Sequence, residues 1–137
     1  MIKLFFISLL ITTIYANDVK LASSIFNTIV SSVTNKKNAA VYLYKDIEAV
    51  SKYPDKLRVV KDCSSADVVL LSSIRDIPKD CDSKVLFGTR YSHLKNKNVI
   101  GAFFWQKGRP NILFYRERLE KQHIKLDKSF DKYIENE

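Results

Sequence analysis

A regular apolar stripe runs along residues 18–36 of the chain. Asp18 stands where it can cap the amino end of a helix that carries this stripe. Because β-branched residues weaken an isolated helix, we expect this one to gain its stability by packing on a sheet. The apolar side chains recur three or four positions apart, as on one face of an α-helix: Val19, Ala22, Ile25, Phe26, Ile29, Val30 and Val33.

Short apolar runs follow, separated by polar connections of roughly ten residues. A helical pair, Ile47 and Val50, lies in the polar segment 45–54. The run 67–71 is apolar without alternation, which predicts a central strand covered on both faces. Four runs predict strands: 39–44, 57–60, 66–71 and 84–87.

The last third of the chain predicts a hairpin followed by two short helices. The strongly apolar run 99–105, a turn at 106–110 and a second extended run at 111–115 predict the hairpin. Helical spacing with polar outer faces follows in 116–122 and 127–134. Together these patterns predict an α/β fold, a layered α/β sandwich with a central mixed sheet of about five or six strands.

Residues 1–16 have the pattern of a secretory signal peptide. Lys3 precedes the apolar run 4–14, which ends just before Ala16 and polar Asn17. The run is well short of the roughly 20 residues that span a bilayer, so we expect cleavage after Ala16 rather than a membrane anchor. Residues 17–137 are then enough for one domain and too few for two.

The formal net charge of +8 is spread along the chain. Scattered lysines and arginines are typical of a solvated surface, and an exported protein rarely meets nucleic acid. The more specific alternative is that these basic residues attract an acidic protein surface or anionic lipid headgroups.

Cys63 and Cys81 are the only cysteines, and an exported protein matures in an oxidising compartment. Each precedes a predicted strand, and if these strands are parallel neighbours both cysteines fall at the same end of the sheet. A disulfide there would close a loop of about 19 residues and contribute roughly 3 kcal/mol of stability. Two free, buried thiols are the alternative.

No pattern of nucleophile, base or metal ligands indicates an enzyme. His93 and His123 are far apart in sequence and are interpreted as unrelated surface histidines. Glu117 and Glu120 lie among basic residues of a predicted helix, which favours charge pairing over acid–base chemistry. We therefore predict no catalytic residue, no metal and no cofactor.

The loop 88–93 is a candidate ligand site. It follows the carboxyl end of a predicted strand, where open α/β sheets place ligands. Gly88 permits close approach of the backbone, while Thr89, Arg90 and Ser92 can grip a small anion such as a carboxylate or phosphate. An ordinary helix-opening loop is the alternative.

Three adjacent aromatic residues, Phe103, Phe104 and Trp105, form a candidate contact for a protein partner. In an extended strand Phe104 faces away from the other two, so we expect at least one aromatic side chain to be exposed. A central strand with helices on both faces would instead bury all three.

A series of motifs runs through the chain from about residue 66 onward. They are the aliphatic strand 66–71, the run 85–88, the Gly-led strand 100–104, the run 112–114 that ends in Phe, and residues 126–130 at the start of the last predicted helix. In this order the motifs resemble the YfiR family. Where that family usually continues its last strand with an acid, an aliphatic residue and Asn, this chain has Tyr115, Arg116 and Glu117.

The resemblance implies a small periplasmic regulator without enzymatic activity. YfiR-type proteins bind the periplasmic domain of an inner-membrane diguanylate cyclase and so control cyclic di-GMP signalling, and a sensor kinase would be a partner of the same kind. The alternative is a small periplasmic solute- or anion-binding protein that serves a sensor or transporter. No nucleic acid is expected as a partner, and a homodimer is left open.

Overall fold

The computed structural model describes the side chains of residues 18–137 and the backbone of helix α1 from Ile2. The predicted signal peptide, with its cleavage after Ala16, therefore lies outside the fully described residues. Within the described part of the chain, no helix is both long enough and apolar enough to cross a membrane. The elements are α1 (Ile2–Thr34), β1 (Ala40–Tyr44), α2 (Glu48–Ser51), β2 (Arg58–Val60), β3 (Val68–Leu71), β4 (Val85–Gly88), β5 (Val99–Gln106), β6 (Arg109–Tyr115), α3 (Arg116–Lys121) and β7 (Ile134–Glu135), with 3-10 helices at Cys63–Ser65, Lys79–Cys81, Tyr91–Lys95 and Lys128–Tyr133.

The strands form one mixed sheet in the order β2-β1-β3-β4-β5-β6-β7. Strands β5 and β6 pair antiparallel, as the predicted hairpin, and the other neighbouring pairs of the described sheet are parallel. Strand β3 is buried along its whole length, as predicted for a strand covered on both faces. The α/β fold with a mixed sheet is confirmed, and the sheet has seven strands rather than five or six.

The additional strand corrects the prediction of a helix at 127–134. Lys128–Tyr133 form a 3-10 helix, and Ile134–Glu135 form β7 beside β6. Asp127 starts the 3-10 helix by accepting a hydrogen bond from the backbone N–H of Ser129. The chain then becomes extended because Ile134 pairs with Phe114, and this strand pairing ends the helical segment.

Helix α1 differs from its predicted form at the amino end. It begins at Ile2, and neither Gly nor Pro interrupts residues 2–34, so Asp18 lies inside the helix and does not cap it. The predicted apolar stripe faces the sheet, and its buried members are Ala22, Phe26, Ile29 and Val30.

The two faces of the sheet are covered by different structures. Helices α1 and α2 cover one face, here called the helical face, whose core contains Phe26, Phe87, Phe103, Phe114 and Phe130. Edge-to-face contacts join Phe26 to Phe103 and Phe114 to Phe130, with centroids 5.2 and 6.0 Å apart, and Phe87 packs on Phe114 at a tilt. The core of the domain is therefore concentrated under α1.

The opposite face, here called the disulfide face, is covered by 3-10 helices and loops. These segments carry buried Cys63, Cys81 and Leu94 against the sheet. The aromatic residues Tyr42, Tyr44, Phe104 and Tyr115 pack there while remaining partly exposed. This layer therefore consists of short segments rather than a long helix.

A bulge in β5 controls which face its side chains occupy. The register between β4 and β5 shifts by one residue beside Ile100. A Cβ atom at Gly101 would lie 2.5 Å from the carbonyl oxygen of Leu113 and 2.7 Å from the ring of Phe114. Glycine is therefore required where the Phe114 ring crosses the bulged strand.

The hairpin turn is tighter than the predicted segment 106–110. Gln106 pairs with Arg109, which leaves Lys107 and Gly108 as a two-residue loop. Their φ angles of 53° and 74° are those of a type I′ turn, whose twist matches that of the flanking strands. This compact turn holds the end of β5 close to the sheet.

Candidate functional site at the carboxyl edge of the sheet

The three adjacent aromatic residues of β5 occupy three different environments. Phe103 points to the helical face and is only 3% exposed. Phe104 packs on the disulfide face and is half-buried. Trp105 remains 42% exposed, with its ring centroid 5.9 Å from that of Phe103. The strand thus buries one aromatic, half-buries the second and exposes the third, and the alternative in which all three are buried is excluded.

A fourth aromatic residue joins this region from the loop after β4. Tyr91 is 61% exposed, and its ring lies edge-on to Phe104 with centroids 5.6 Å apart. We call Tyr91, Phe104 and Trp105 the aromatic surface. Tyr91 lies inside the candidate loop 88–93, as the first residue of the 3-10 helix Tyr91–Lys95, but the sequence analysis did not include it among the site residues.

Two clefts flank Trp105 at this edge. The first, here called the arginine cleft, has a volume of about 660 Å³ and Arg90 is the charged residue in its lining. The second, here called the aspartate cleft, has a volume of about 450 Å³, and Asp18 is the charged residue in its lining. Thr89 and Trp105 line both clefts. The aspartate cleft is otherwise mainly apolar, with Val19, Ala22, Phe26, Ile47, Ala49 and Phe103 in its lining.

The predicted ligand loop 88–93 is held together by its own hydrogen bonds. The backbone N–H of Thr89 donates to Nδ1 of His93 at 3.0 Å, and the Thr89 hydroxyl donates to the carbonyl oxygen of Leu71 at 2.8 Å. A Cβ atom at Gly88 would lie 2.7 Å from Cβ of His93, so Gly88 makes room for this side chain rather than for a ligand. Arg90 and Ser92 are exposed, and of these two Arg90 lines a cleft.

The interpretation of His93 as a surface residue is wrong. His93 is 3% exposed, and burial followed by the positive charge of Arg90 lowers its pKa. A neutral imidazole is also what the geometry requires, because Nδ1 must accept the Thr89 N–H. His123 is exposed as predicted, in a turn where its φ is 57°.

The strand order reverses between β1 and β3, where the end of β1 is hydrogen-bonded to the loop after β3. Doubly wound sheets usually bind ligands at this position. Here the Tyr44 hydroxyl, at the end of β1, donates to the backbone carbonyl oxygens of Arg75 and Asp76 in the loop after β3. This contact holds the loop after β3 against the end of β1, and the two clefts that flank Trp105 lie beside β4 and β5.

The predicted disulfide between Cys63 and Cys81 is confirmed. Their Cα atoms are 5.1 Å apart, and both residues are almost completely buried. The bridge joins the turns that precede β3 and β4, which are parallel neighbours, as the prediction required. Asp80 lies beside the two sulfur atoms, but these are bonded to each other and are not free metal ligands.

A buried arginine was not identified by the sequence analysis. Arg118 is 6% exposed and donates from Nη1 to the carbonyl oxygen of Val99 at 2.8 Å. Its guanidinium binds the Glu137 carboxylate and lies 4.6 Å from the centroid of the Tyr115 ring. Hydrogen bonds from Arg118 and Lys97 lower the pKa of Glu137 to about 2. The cluster ties the end of the chain to β5 and has a structural role.

Glu117, next to Arg118 on α3, does not form the predicted charge pair along the helix. Glu117 accepts a hydrogen bond from the backbone N–H of Glu137 at 3.0 Å. Charged residues on a short helix usually face solvent, so the sequence holds no signal for these long-range contacts.

No family model matches the chain, and no curated protein is significantly similar to it in sequence. The resemblance to YfiR proteins therefore stays a prediction from sequence. The aromatic surface and the two clefts at the carboxyl edge of the sheet are the structural features that bear on function.

Proposed function

We propose that the protein is a non-enzymatic regulator that is exported to the periplasm and binds the periplasmic domain of an inner-membrane signalling protein. The partner would be a diguanylate cyclase or a sensor kinase, whose output the bound regulator changes. The observation that carries the proposal is the exposure of Trp105 and Tyr91 around the half-buried ring of Phe104. Aromatic side chains of this kind are enriched at protein–protein interfaces, where they act as anchors.

The position of the aromatic surface supports a binding role. Trp105 belongs to β5 and pairs with Pro110 of β6, so the hairpin holds its backbone in place before any partner arrives. An anchor on a rigid strand loses little conformational entropy on binding, which favours affinity. The edge-on contact of Trp105 with buried Phe103 restrains the indole further.

The charges near the aromatic surface indicate the character of the partner. Arg90 lines the same cleft as Trp105, while Lys107 and Arg109 are exposed at and beside the hairpin turn. Basic residues around an apolar centre complement a partner surface with an apolar centre and an acidic rim. The net charge of +8 would also speed association with such a surface.

Regulation by binding requires unequal affinity for two states of the partner. The protein must bind one conformation of the signalling domain more tightly than the other, because a ligand that binds both equally shifts neither. The disulfide and the location in the periplasm fit together, since disulfides persist in oxidising compartments.

The test is a direct binding measurement with the periplasmic domains of signalling proteins encoded beside this gene. We expect Trp105→Ala to weaken binding by about thirtyfold or more, the effect of losing an interface anchor. Tyr53→Ala is the matched control, because Tyr53 is also an exposed aromatic residue, at 38%, and lines neither cleft. Equal binding by wild type and Trp105→Ala would exclude the aromatic surface as the contact.

The alternative, a small periplasmic solute- or anion-binding protein, rests on Arg90. This residue is exposed on the arginine cleft, where it can reach a carboxylate or phosphate. A thermal-shift screen of such anions tests it: an anion that raises the melting temperature of the wild type, but not of Arg90→Ala, would favour the alternative. Thr89 offers little additional binding, because its N–H and hydroxyl already have partners inside the protein.

A further inference from the structure

The two clefts beside Trp105 carry opposite charges. Arg90 is the charged residue of the arginine cleft, and Asp18 is that of the aspartate cleft. Both side chains are exposed, and neither takes part in an ion pair found among residues 18–137. Each is therefore available to a charged group of a partner.

The clefts are adjacent parts of one surface, because Thr89 and Trp105 line both. Phe104 lines the arginine cleft from the disulfide face, whereas Phe103 and Phe26 line the aspartate cleft from the helical face. Trp105 thus stands between two pockets on opposite sides of the sheet edge. Their volumes of about 660 and 450 Å³ can each take a side chain.

We propose that the partner contributes one extended segment that crosses Trp105, with an acidic residue at Arg90, an apolar residue against the indole and a basic residue at Asp18. This inference rests on the proposed function and adds the chemistry and the order of charges of the recognised segment. The opposed charges allow one orientation and penalise the reverse, since each reversal places like charges together. The apolar lining of the aspartate cleft accommodates the aliphatic stem of a lysine whose ammonium reaches Asp18.

The probes are acetylated and amidated pentapeptides with Leu at the centre and Ala on each side of it. The first peptide carries Asp at one end and Lys at the other. The second carries Asp at both ends, and the third carries Lys at both ends. The fourth carries the uncharged residues Asn and Gln at its two ends. Trp105 is the only tryptophan of the 137-residue chain, so its fluorescence reports on this site alone. We expect the Asp/Lys peptide to bind the full chain about two- to fivefold more tightly than the peptide with two Asp ends or the peptide with two Lys ends, because each of those can form one of the two exposed ion pairs.

Charge reversal gives the decisive comparison. In Arg90→Glu both clefts carry an acidic residue, so the peptide with two Lys ends should become the tightest ligand. In Asp18→Lys both clefts carry a basic residue, so the peptide with two Asp ends should become the tightest ligand. Combining both substitutions should restore the preference for the Asp/Lys peptide. Lys79→Glu is the control, because it changes the net charge as Arg90→Glu does at an exposed residue outside both clefts.

The proposal is overturned if no peptide changes the Trp105 fluorescence, if all four bind equally, or if the order of affinities is the same in every variant. It is also overturned if only one of the two charge reversals changes the order of peptide affinities, because the segment would then contact only one of the two charges. Circular dichroism of each variant confirms that it is folded. If Trp105→Ala abolishes binding of the signalling domain while the reversals leave the peptide order unchanged, the proposed function stands and this inference fails.

Discussion

At the scale of single residues, burial decides what each aromatic side chain of β5 contributes. Strand alternation predicts that Phe104 faces away from Phe103 and Trp105, and the structure has this arrangement. Alternation alone does not distinguish Phe103 from Trp105, which share a direction. Their difference comes from position along the strand: Phe103 lies under α1, and Trp105 lies nearer the end of β5 at the hairpin turn.

Phe103→Ala and Trp105→Ala should therefore differ in stability. Removing the buried Phe103 ring leaves a cavity against Phe26, and we expect a loss of roughly 3–5 kcal/mol in the free energy of unfolding. Trp105→Ala should cost clearly less, because much of the indole is already in water. Urea denaturation of both variants measures the difference, and equal losses would show that Trp105 is a core residue.

His93 should make stability depend on pH. Its pKa is lowered in the folded protein from the ordinary value of 6.5, chiefly by burial, so the unfolded chain binds the proton more tightly. The stability contributed by neutral His93 is full above pH 6.5 and decreases as the pH falls from there toward the folded pKa. Protonation would also break the hydrogen bond from Thr89.

Thermal unfolding between about pH 8 and 5 measures this dependence. In His93→Gln the decrease between these values should be smaller than in the wild type, since the remaining carboxylates titrate in both proteins. His123→Gln is the control, because His123 is exposed, and its pH profile should follow the wild type. Identical profiles for wild type and His93→Gln would contradict the prediction.

At the scale of elements, the bulge in β5 sets the facing of the residues that follow it. The extra residue beside Ile100 brings Phe103 under α1 and leaves Phe104 on the disulfide face. Without it, a one-residue slip would reverse both. Gly101 is the residue that permits the bulge, because the Phe114 ring occupies the space of a side chain.

Gly101→Ala should therefore destabilise the domain by roughly 1–3 kcal/mol, the cost of forcing an extra group into a packed core. The clash involves the backbone oxygen of Leu113, which cannot move without disturbing β6. Gly108→Asn is the control: its φ is 74°, its surroundings are open, and Asn tolerates this conformation. A melting temperature of Gly101→Ala equal to that of the wild type would rule out this account.

At the scale of the whole molecule, the disulfide holds together the short segments that cover one side of the sheet. The bridge fixes two 3-10 turns over β3 and β4 that have no long helix to hold them. Because it closes a short loop, with a sequence separation of 18 between the cysteines, its effect should be that of a typical structural disulfide.

Reduction, or the double substitution Cys63→Ala and Cys81→Ala, should lower stability by roughly 3 kcal/mol and the melting temperature by on the order of 10 °C. Thiol titration of the denatured, oxidised protein should detect no free thiol. Two titratable thiols in that sample would contradict the disulfide, and an unchanged melting temperature after reduction would contradict its stabilising role.

Local pattern was enough to predict much of this architecture. Three predictions depended only on neighbouring residues, and all three are confirmed: the helix α1 from its apolar stripe, the buried strand β3 from its apolar run, and the hairpin of β5 and β6 from its turn. The cysteine pair was predictable because parallel neighbouring strands place their amino ends together.

Contacts between distant parts of the chain were not predictable in this way. Residues 127–134 have helical spacing, but pairing of Ile134 with Phe114 makes the end of the segment a strand. His93 is buried because Gly88 leaves room for it, and Arg118 is buried because Val99 and Glu137 supply its partners. The exposure of Tyr91 and the two clefts also depend on packing between elements.

The position of α1 has a consequence for how the domain folds. Its apolar stripe is covered by residues from the last third of the sequence, including Phe103, Phe114 and Phe130. Until these residues are in place, the stripe has only part of its final cover, and exposed apolar surface of this kind promotes aggregation. A chain truncated before β5 should therefore aggregate, and only a chain that includes β7 should fold into a protease-resistant domain.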